Sequence, residues 1–289
     1  MTIKFPPRAS LGSLYTSDAV FPHTRLWVGE AQGDRDLSVP DGRMLGLALR
    51  NLDASTIGDA IEEAFKHLQS VDLSTSYFSD STLRWLSYVD ELKELRLDFL
   101  KLRAAELVGL LPMTSLTTLW LTGAEMGDAE LASFAPSPSI EHLILKSTRI
   151  SDAGLAHLGI MKKLSRLHLP TQISDAGIAH LASCKSLRKL DLSLCAITDK
   201  AIPMLENIVG LEELYLNDTK LGDEALSAIG KLKSLKVLFL CGTKISDSGL
   251  TYLEQLENLE HLELRDTKVS EVGTQRVRSR LSNCAIFGP

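Results

Sequence analysis

A pattern of leucines that returns about every 24 residues constrains this chain more than any other feature. The segment IEHLILKSTRISDAGLAHL, residues 140–158, returns at residues 235–253 as LKVLFLCGTKISDSGLTYL. Successive copies start 24 residues apart, except for one step of 23 between the fifth and sixth starts. The copies start at Leu68, Leu92, Leu116, Ile140, Leu164, Leu187, Leu211, Leu235 and Leu259. A fixed period of this length is the signature of a solenoid, in which each repeat buries its apolar side against its neighbours.

Each copy divides into two halves with different periods. The first half alternates apolar and polar residues, as in Leu143-Ile144-Leu145-Lys146. This alternation predicts a strand with one solvent-exposed face. The second half opens with Ser or Thr followed by Asp, residue types that cap a helix. Apolar residues such as Leu155 and Leu158 then recur at helical spacing. Because a helix is wider than the roughly 4.8 Å between strands, the predicted stack curves with its sheet on the inside.

The spacing L-x-x-L-x-L, followed by Thr, Cys or Ser and an apolar residue, resembles the leucine-rich-repeat family from about Met44 to the C-terminus. The position where many members carry Asn holds Thr148, Thr219, Thr243 and Thr267, with Cys195 and Ser76 as variants. The ISDAGL half resembles the cysteine-containing subfamily and its bacterial relatives, although this chain has a shorter repeat and mostly Thr at the Cys position. The resemblance implies an α/β leucine-rich-repeat solenoid, a right-handed horseshoe with a parallel β-sheet on the concave face and helices on the convex face.

The repeat also predicts the division of the chain, because stacked repeats share one continuous core and count as one extended domain. Terminal units must differ from the repeats between them, since only they meet water at one end. We predict an N-terminal cap at 1–43, a degenerate first repeat at 44–67, nine repeats of about 24 residues at 68–282 and a C-terminal cap at 283–289.

Composition narrows the class of protein. Because its net charge is −6, the chain is not expected to bind nucleic acid or anionic lipid through non-specific electrostatic attraction. No apolar run is long enough to span a membrane, and Pro6 and Pro7 interrupt what would be the core of a signal peptide. Cys195 and Cys241 lie two repeats apart, about 10 Å, which is too far for a disulfide. We therefore expect a reduced, cytoplasmic protein.

The third, fifth and seventh positions of each copy are predicted to point away from the core. The residues at these positions vary from copy to copy, whereas the core leucines repeat. The variable positions could therefore determine which partner the protein binds. Exposed aromatic side chains in these columns are typical of interface hot spots, although they could simply pack on neighbouring strands. The predicted partner-binding residues of the concave face are Trp120, His142, Ile144, Lys146, Arg166, His168, Lys189, Asp191, Tyr215 and Phe239.

Three functions are compatible with this pattern. The leading hypothesis is a non-enzymatic protein-binding or scaffold module, monomeric or weakly homo-oligomeric, with a protein partner of unknown identity. The first alternative is a ligand- or metal-dependent enzyme that uses the basic and histidine centre of the concave face. The second alternative is a self-associating structural protein.

No catalytic residue, metal site or cofactor is predicted. His168 beside Asp191, with Ser193 on the same strand, has the residue types of a nucleophile, base and orienting acid. An open sheet offers neither an oxyanion hole nor exclusion of water, so a surface ion pair is expected instead. His142 and His168 lack the third ligand that a zinc site needs. The chain also contains no phosphate-binding loop, dinucleotide glycine motif or CxxC.

Overall fold

The computed structural model describes residues 2–4, 12–18, 25–32, 34–36, 39–41, 43–49, 68–74, 86 and 89–288. The chain divides into two compact units, Met1–Leu143 (unit 1) and Ile144–Pro289 (unit 2), and each unit is described by itself. Parts of the N-terminal cap, residues 50–67 in the second half of the predicted first repeat, and residues 75–85, which include Ser76, lie outside the described residues.

The described strands of unit 1 begin with an antiparallel set and continue as a parallel sheet. They are β1 (Thr2–Lys4), β2 (Gly12–Asp18), β3 (Leu26–Glu30), β4 (Asp34–Asp36), β5 (Arg43–Leu49), β6 (Ser70–Asp72), β7 (Glu94–Arg96) and β8 (Thr118–Trp120). β1 pairs with β4, and β2 pairs with β3 and β5, all antiparallel. From β5 to β8 each strand pairs in parallel with the next. Strand β9 (His142–Ile144) contains the point where the units divide.

Unit 2 is built from parallel strands in chain order. They are β10 (Arg166–His168), β11 (Lys189–Asp191), β12 (Glu213–Tyr215), β13 (Val237–Phe239), β14 (His261–Glu263) and β15 (Ala285–Phe287). The register places equivalent residues of successive copies side by side. Leu167, Leu190, Leu214, Leu238 and Leu262 therefore form one row, and all five are fully buried. This row confirms the predicted stacking of the repeat leucines.

From residue 92 onward, the second half of each repeat is a short α-helix, a short 3₁₀ helix or an α-helix followed by a 3₁₀ helix. The α-helices are Ala104–Leu107, Asp128–Phe134, Asp175–His180, Asp223–Ile229, Asp247–Leu250 and Glu271–Arg280. The 3₁₀ helices are Val108–Leu110, Ala153–Ile160, Leu181–Ser183, Asp199–Asn207 and Thr251–Gln255. A 3₁₀ helix rises about 2.0 Å per residue against 1.5 Å in an α-helix, so it spans the repeat with fewer residues. Parallel strands alternating with such helices confirm the predicted α/β leucine-rich-repeat solenoid.

The recurrent threonine has a structural role. In unit 2 the hydroxyls of Thr148, Thr219 and Thr243 each donate to the carbonyl oxygen three residues earlier, at 2.7–2.8 Å. All three residues are buried, so each bond satisfies a carbonyl group that water cannot reach. Cys195 stands at the same position, and its thiol points to the Pro170 carbonyl oxygen at 3.4 Å.

An aspartate ladder connects the helix starts of unit 2. The Asp223 carboxylate accepts the backbone N–H of Ser246 at 2.7 Å and its hydroxyl at 2.6 Å, one repeat further on. The same double contact joins Asp152 to Ser174, Asp175 to Thr198 and Asp247 to Ser270, while Asp199 accepts only the N–H of Gly222. The serine or threonine caps its own helix, as predicted, at Ser174, Thr198 and Ser246. The aspartate instead links one repeat to the next, a role that the sequence did not predict.

The ladder explains the glycine in the SDxG segments. A Cβ atom on Gly249 would lie 2.6 Å from the Asp223 Oδ1 atom and 2.9 Å from Leu226 Cδ1. Gly177 and Gly273 lie equally close to the aspartates of the repeats before them. Close approach of the preceding repeat, rather than backbone conformation, therefore limits the size of the side chain at these positions.

Candidate functional site

The candidate site is the open face of the unit 2 sheet, which we define as the third, fifth and seventh positions of its repeats. Eight of the ten predicted residues belong to unit 2, and Trp120 and His142 belong to unit 1. Arg166, His168, Lys189, Tyr215 and Phe239 are half-buried, and Lys146 is exposed.

Two of the predicted residues are less accessible than expected. The expectation that Ile144 is exposed is wrong, because only 6% of its surface is accessible. Asp191 is also buried, at 7% accessible, because basic groups converge on its carboxylate.

Asp191 is the centre of a polar cluster. Its Oδ2 atom lies 2.7 Å from Lys146 Nζ and 3.2 Å from His168 Nδ1, and its Oδ1 atom accepts the Ser193 N–H at 3.0 Å. Burial raises the pKa of Asp191, but the hydrogen bonds from His168, Lys146 and Ser193 outweigh it and hold the pKa well below its usual value. His168 therefore contacts a carboxylate that Lys146 already neutralises, an arrangement suited to an ion-pair network.

This cluster predicts a loss of stability in acid. Because the pKa of Asp191 is lower in the folded chain, its stabilising contribution is complete above the unfolded-state pKa of about 3.9 and is lost as pH falls through the folded-state value. We expect urea unfolding free energies to fall less between pH 5 and pH 3 in Asp191→Asn than in the wild-type chain. Asp266→Asn, at an exposed position outside the cluster, is the control. Equal pH slopes for Asp191→Asn and wild type would contradict this account.

Lys189, Glu213 and Tyr215 form a second cluster. Lys189 Nζ lies 2.7 Å from Glu213 Oε2 and 3.1 Å from the Tyr215 hydroxyl, which donates to the same carboxylate oxygen at 2.9 Å. The ammonium group also lies 4.6 Å from the centre of the Tyr215 ring, within cation–π range. Burial lowers the pKa of Lys189, but its bonds to Glu213 and Tyr215 outweigh that effect and raise it.

Four rings continue from this cluster across neighbouring strands. Tyr215 stacks on Phe239 with ring centres 4.8 Å apart, Phe239 on His261 at 5.0 Å, and His261 on Phe287 at 4.9 Å. We call these four residues the aromatic ladder. The accessible fraction of Phe287, 47%, leaves one end of the ladder open to solvent.

Only half of this aromatic ladder was predicted from the sequence. Tyr215 and Phe239 were predicted, whereas His261 and Phe287 were missed. A tenth copy of the repeat would start 24 residues after Leu259, at position 283. Phe287 would then be the fifth residue of that copy. The register of β15 with β14 shows this continuation, since Glu263 is paired with Phe287.

Trp120 and His142 occupy the sheet of unit 1. The Arg96 guanidinium lies 3.9 Å from the centre of the Trp120 ring, and its Nε donates to Glu94 at 3.0 Å. Trp120 is thus half-covered by a cation rather than freely exposed, and its buried indole N–H has no acceptor among the described residues. The His142 ring lies within hydrogen-bond distance of the Thr118 hydroxyl, at 3.3 Å.

The described residues contain no group of three or more His, Cys, Asp or Glu side chains that could hold a metal ion. Within the same part of the chain, no helix is long and apolar enough to cross a membrane. All four cysteines are free thiols. Burial raises the pKa of Cys195 to about 12 and that of Cys284 to about 11, so both thiols stay protonated and unreactive at neutral pH.

Comparison with known proteins supports the repeat architecture. The family model described as "Leucine Rich repeat" matches residues 183–202 and 211–230. A search of curated protein sequences found no match.

Two solved bacterial structures are similar in fold. The first is an internalin (inlF) from Listeria monocytogenes, with 21% sequence identity and a TM-score of 0.60 over 83% of this chain and 66% of that chain. The second is an internalin C2 (inlC2) from the same organism, with 24% identity and a TM-score of 0.51 over 65% of this chain and 84% of that chain. This chain thus spans just under two thirds of the inlF chain. The stacked leucine strands, the matched repeats and these neighbours together show a leucine-rich-repeat fold that is similar to the fold of these two bacterial proteins.

Proposed function

We propose that the chain is a non-enzymatic protein-binding or scaffold module that presents the open face of its sheet to a protein partner. The aromatic ladder is the observation that carries this proposal. It lies on columns that vary between repeats, while the buried leucine row below it does not vary. Aromatic anchors of this kind supply large contact areas at a low cost in side-chain entropy.

The polar clusters support binding rather than catalysis. The Asp191 carboxylate is occupied by Lys146 and His168, and it also accepts the Ser193 backbone N–H at 3.0 Å. A general base needs a nucleophile within hydrogen-bond reach, and no hydrogen bond joins His168 to Ser193 in the part of the chain that the structure describes. A binding surface needs only that its charges be held in fixed positions, which these ion pairs provide.

We further propose a reducing, cytoplasmic location and a monomeric or weakly associating chain that engages neither nucleic acid nor membrane. Four free thiols, three of them buried, support the location because oxidising compartments favour disulfides. The net charge of −6 supports a protein partner over nucleic acid or anionic lipid.

The aromatic ladder gives a direct test of this function. A partner captured on the immobilised wild-type chain from an extract of the host is identified by mass spectrometry and titrated by calorimetry. We expect Tyr215→Ala/Phe239→Ala to weaken its binding by at least about 2 kcal/mol, roughly thirtyfold in Kd, because truncating central aromatic anchors typically costs this much.

Val209→Ala/Tyr252→Ala is the matched control, since it removes two exposed apolar side chains outside the strands. This variant should bind as the wild type does. Unchanged affinity in the ladder variant, with a loss in the control, would place the binding surface on the helical side and contradict the proposal.

A further inference from the structure

Among the described residues on the open face of unit 2, one lysine or arginine forms no ion pair. Lys146, Lys189 and Arg265 each contact a carboxylate, at 2.7, 2.7 and 2.8 Å. Arg166 is half-buried on β10, and none of the ion pairs within the described part of unit 2 involves its guanidinium, although its positive charge helps to lower the pKa of Glu213. Its side chain is therefore available to an outside acceptor.

Lys189, on the strand next to Arg166, adds a second positive charge to this part of the surface. Arg166 and Lys189 are register partners on β10 and β11, so two cations stand side by side. Like charges directly opposite each other in a sheet are destabilising. The Glu213 carboxylate is held by Lys189 and Tyr215, and Asp191 is held by Lys146 and His168. The two carboxylates thus form their ion pairs with Lys146 and Lys189, and with Arg166 the cations of this surface outnumber them by one.

The aromatic ladder begins within reach of this cation. Two strand steps separate Arg166 from Tyr215, and three separate it from Phe239. At about 4.8 Å per step, with a shift of two residues along the strand, these separations are about 12 and 16 Å. An extended peptide rises about 3.3 Å per residue, so four or five residues cover the distance.

We propose that the open face of unit 2 binds an extended protein segment that carries Asp or Glu four or five residues from an aromatic or large aliphatic side chain. The carboxylate pairs with Arg166, and a two-oxygen acceptor suits the planar guanidinium because both N–H···O bonds can form in parallel. The apolar side chain covers Tyr215 and Phe239. The segment runs across the strands, and this inference rests on the protein-binding function proposed above.

Peptide selection tests the inference. A phage library of random peptides of about ten residues, which span about 33 Å when extended, is selected on wild-type chain and on Arg166→Glu. We expect the wild type to enrich an acidic residue four or five positions from an apolar one. Arg166→Glu should enrich Lys or Arg at that position instead. A synthetic peptide from the wild-type selection should bind Arg166→Glu at least about tenfold more weakly by fluorescence anisotropy, because a charge pair becomes a charge clash.

Lys200→Glu makes the same charge change at an exposed helical residue, so it should leave both selection and affinity unchanged. Arg166→Gln, which keeps a polar side chain, should lose the acidic preference without gaining a basic one. Peptides that need Tyr215 and Phe239 but show no acidic preference would overturn this inference and leave the protein-binding function intact. Selection that is equally strong on Tyr215→Ala/Phe239→Ala would overturn both.

Discussion

Leu214→Ala is expected to lower the free energy of unfolding by about 2–5 kcal/mol, the usual cost of deleting a fully buried leucine side chain. Leu214 has no accessible surface and stands in register between Leu190 and Leu238 in the buried row of unit 2. In a repeat protein each unit is stabilised by its neighbours. A cavity at a central repeat therefore weakens two interfaces at once. Denaturant unfolding followed by circular dichroism measures the change.

Tyr252→Ala is the matched control for this experiment. Its ring is large but 44% exposed, so its removal should change the unfolding free energy by about 0.5 kcal/mol or less. A loss for Leu214→Ala no larger than for Tyr252→Ala would mean that the leucine row does not hold the repeats together.

The leucine row was predictable because its cause is contained within one repeat. Alternation assigns Leu214 to one face of its strand and Tyr215 to the other, and a constant period superposes the copies. The threonine bonds were predictable for the same reason, since Thr219 contacts a carbonyl group only three residues away. Features that depend on a single copy and its period therefore follow from the sequence.

Features that depend on contact between copies did not follow so readily. Asp223 reads locally as an acidic residue in the first turn of its own helix, where the helix dipole favours it. Its hydrogen bonds to Ser246 appear only when two repeats are placed side by side. The accessibility of a face position also depends on its neighbours, which is why Ile144 proved to be buried. His261 stands at the third position of its copy, whereas Phe239 stands at the fifth position of the copy before it. A comparison of equivalent positions alone therefore does not predict that their rings stack.

Gly249→Val is expected to cost about 1–3 kcal/mol, the usual penalty for forcing extra carbon atoms into a packed site. The first added carbon would lie 2.6 Å from the Asp223 carboxylate oxygen and 2.9 Å from the Leu226 side chain. Ala201 and Ala225 stand at the equivalent position of two other repeats, so one methyl group can be accommodated there. The two further methyl groups of valine would have to displace Asp223 and break its bonds to Ser246.

The aspartate ladder makes this substitution dependent on its partner. If the clash is with the Asp223 carboxylate, Gly249→Val should cost less in an Asp223→Ala chain than in the wild type, so the two changes should not add. Ala176→Val, at an exposed site in the first turn of another helix, should cost only a few tenths of a kcal/mol from lost helix propensity. All four chains of the cycle are compared by denaturant unfolding. Strict additivity of the Asp223 and Gly249 changes would mean that the glycine is needed for some reason other than the approach of the preceding repeat.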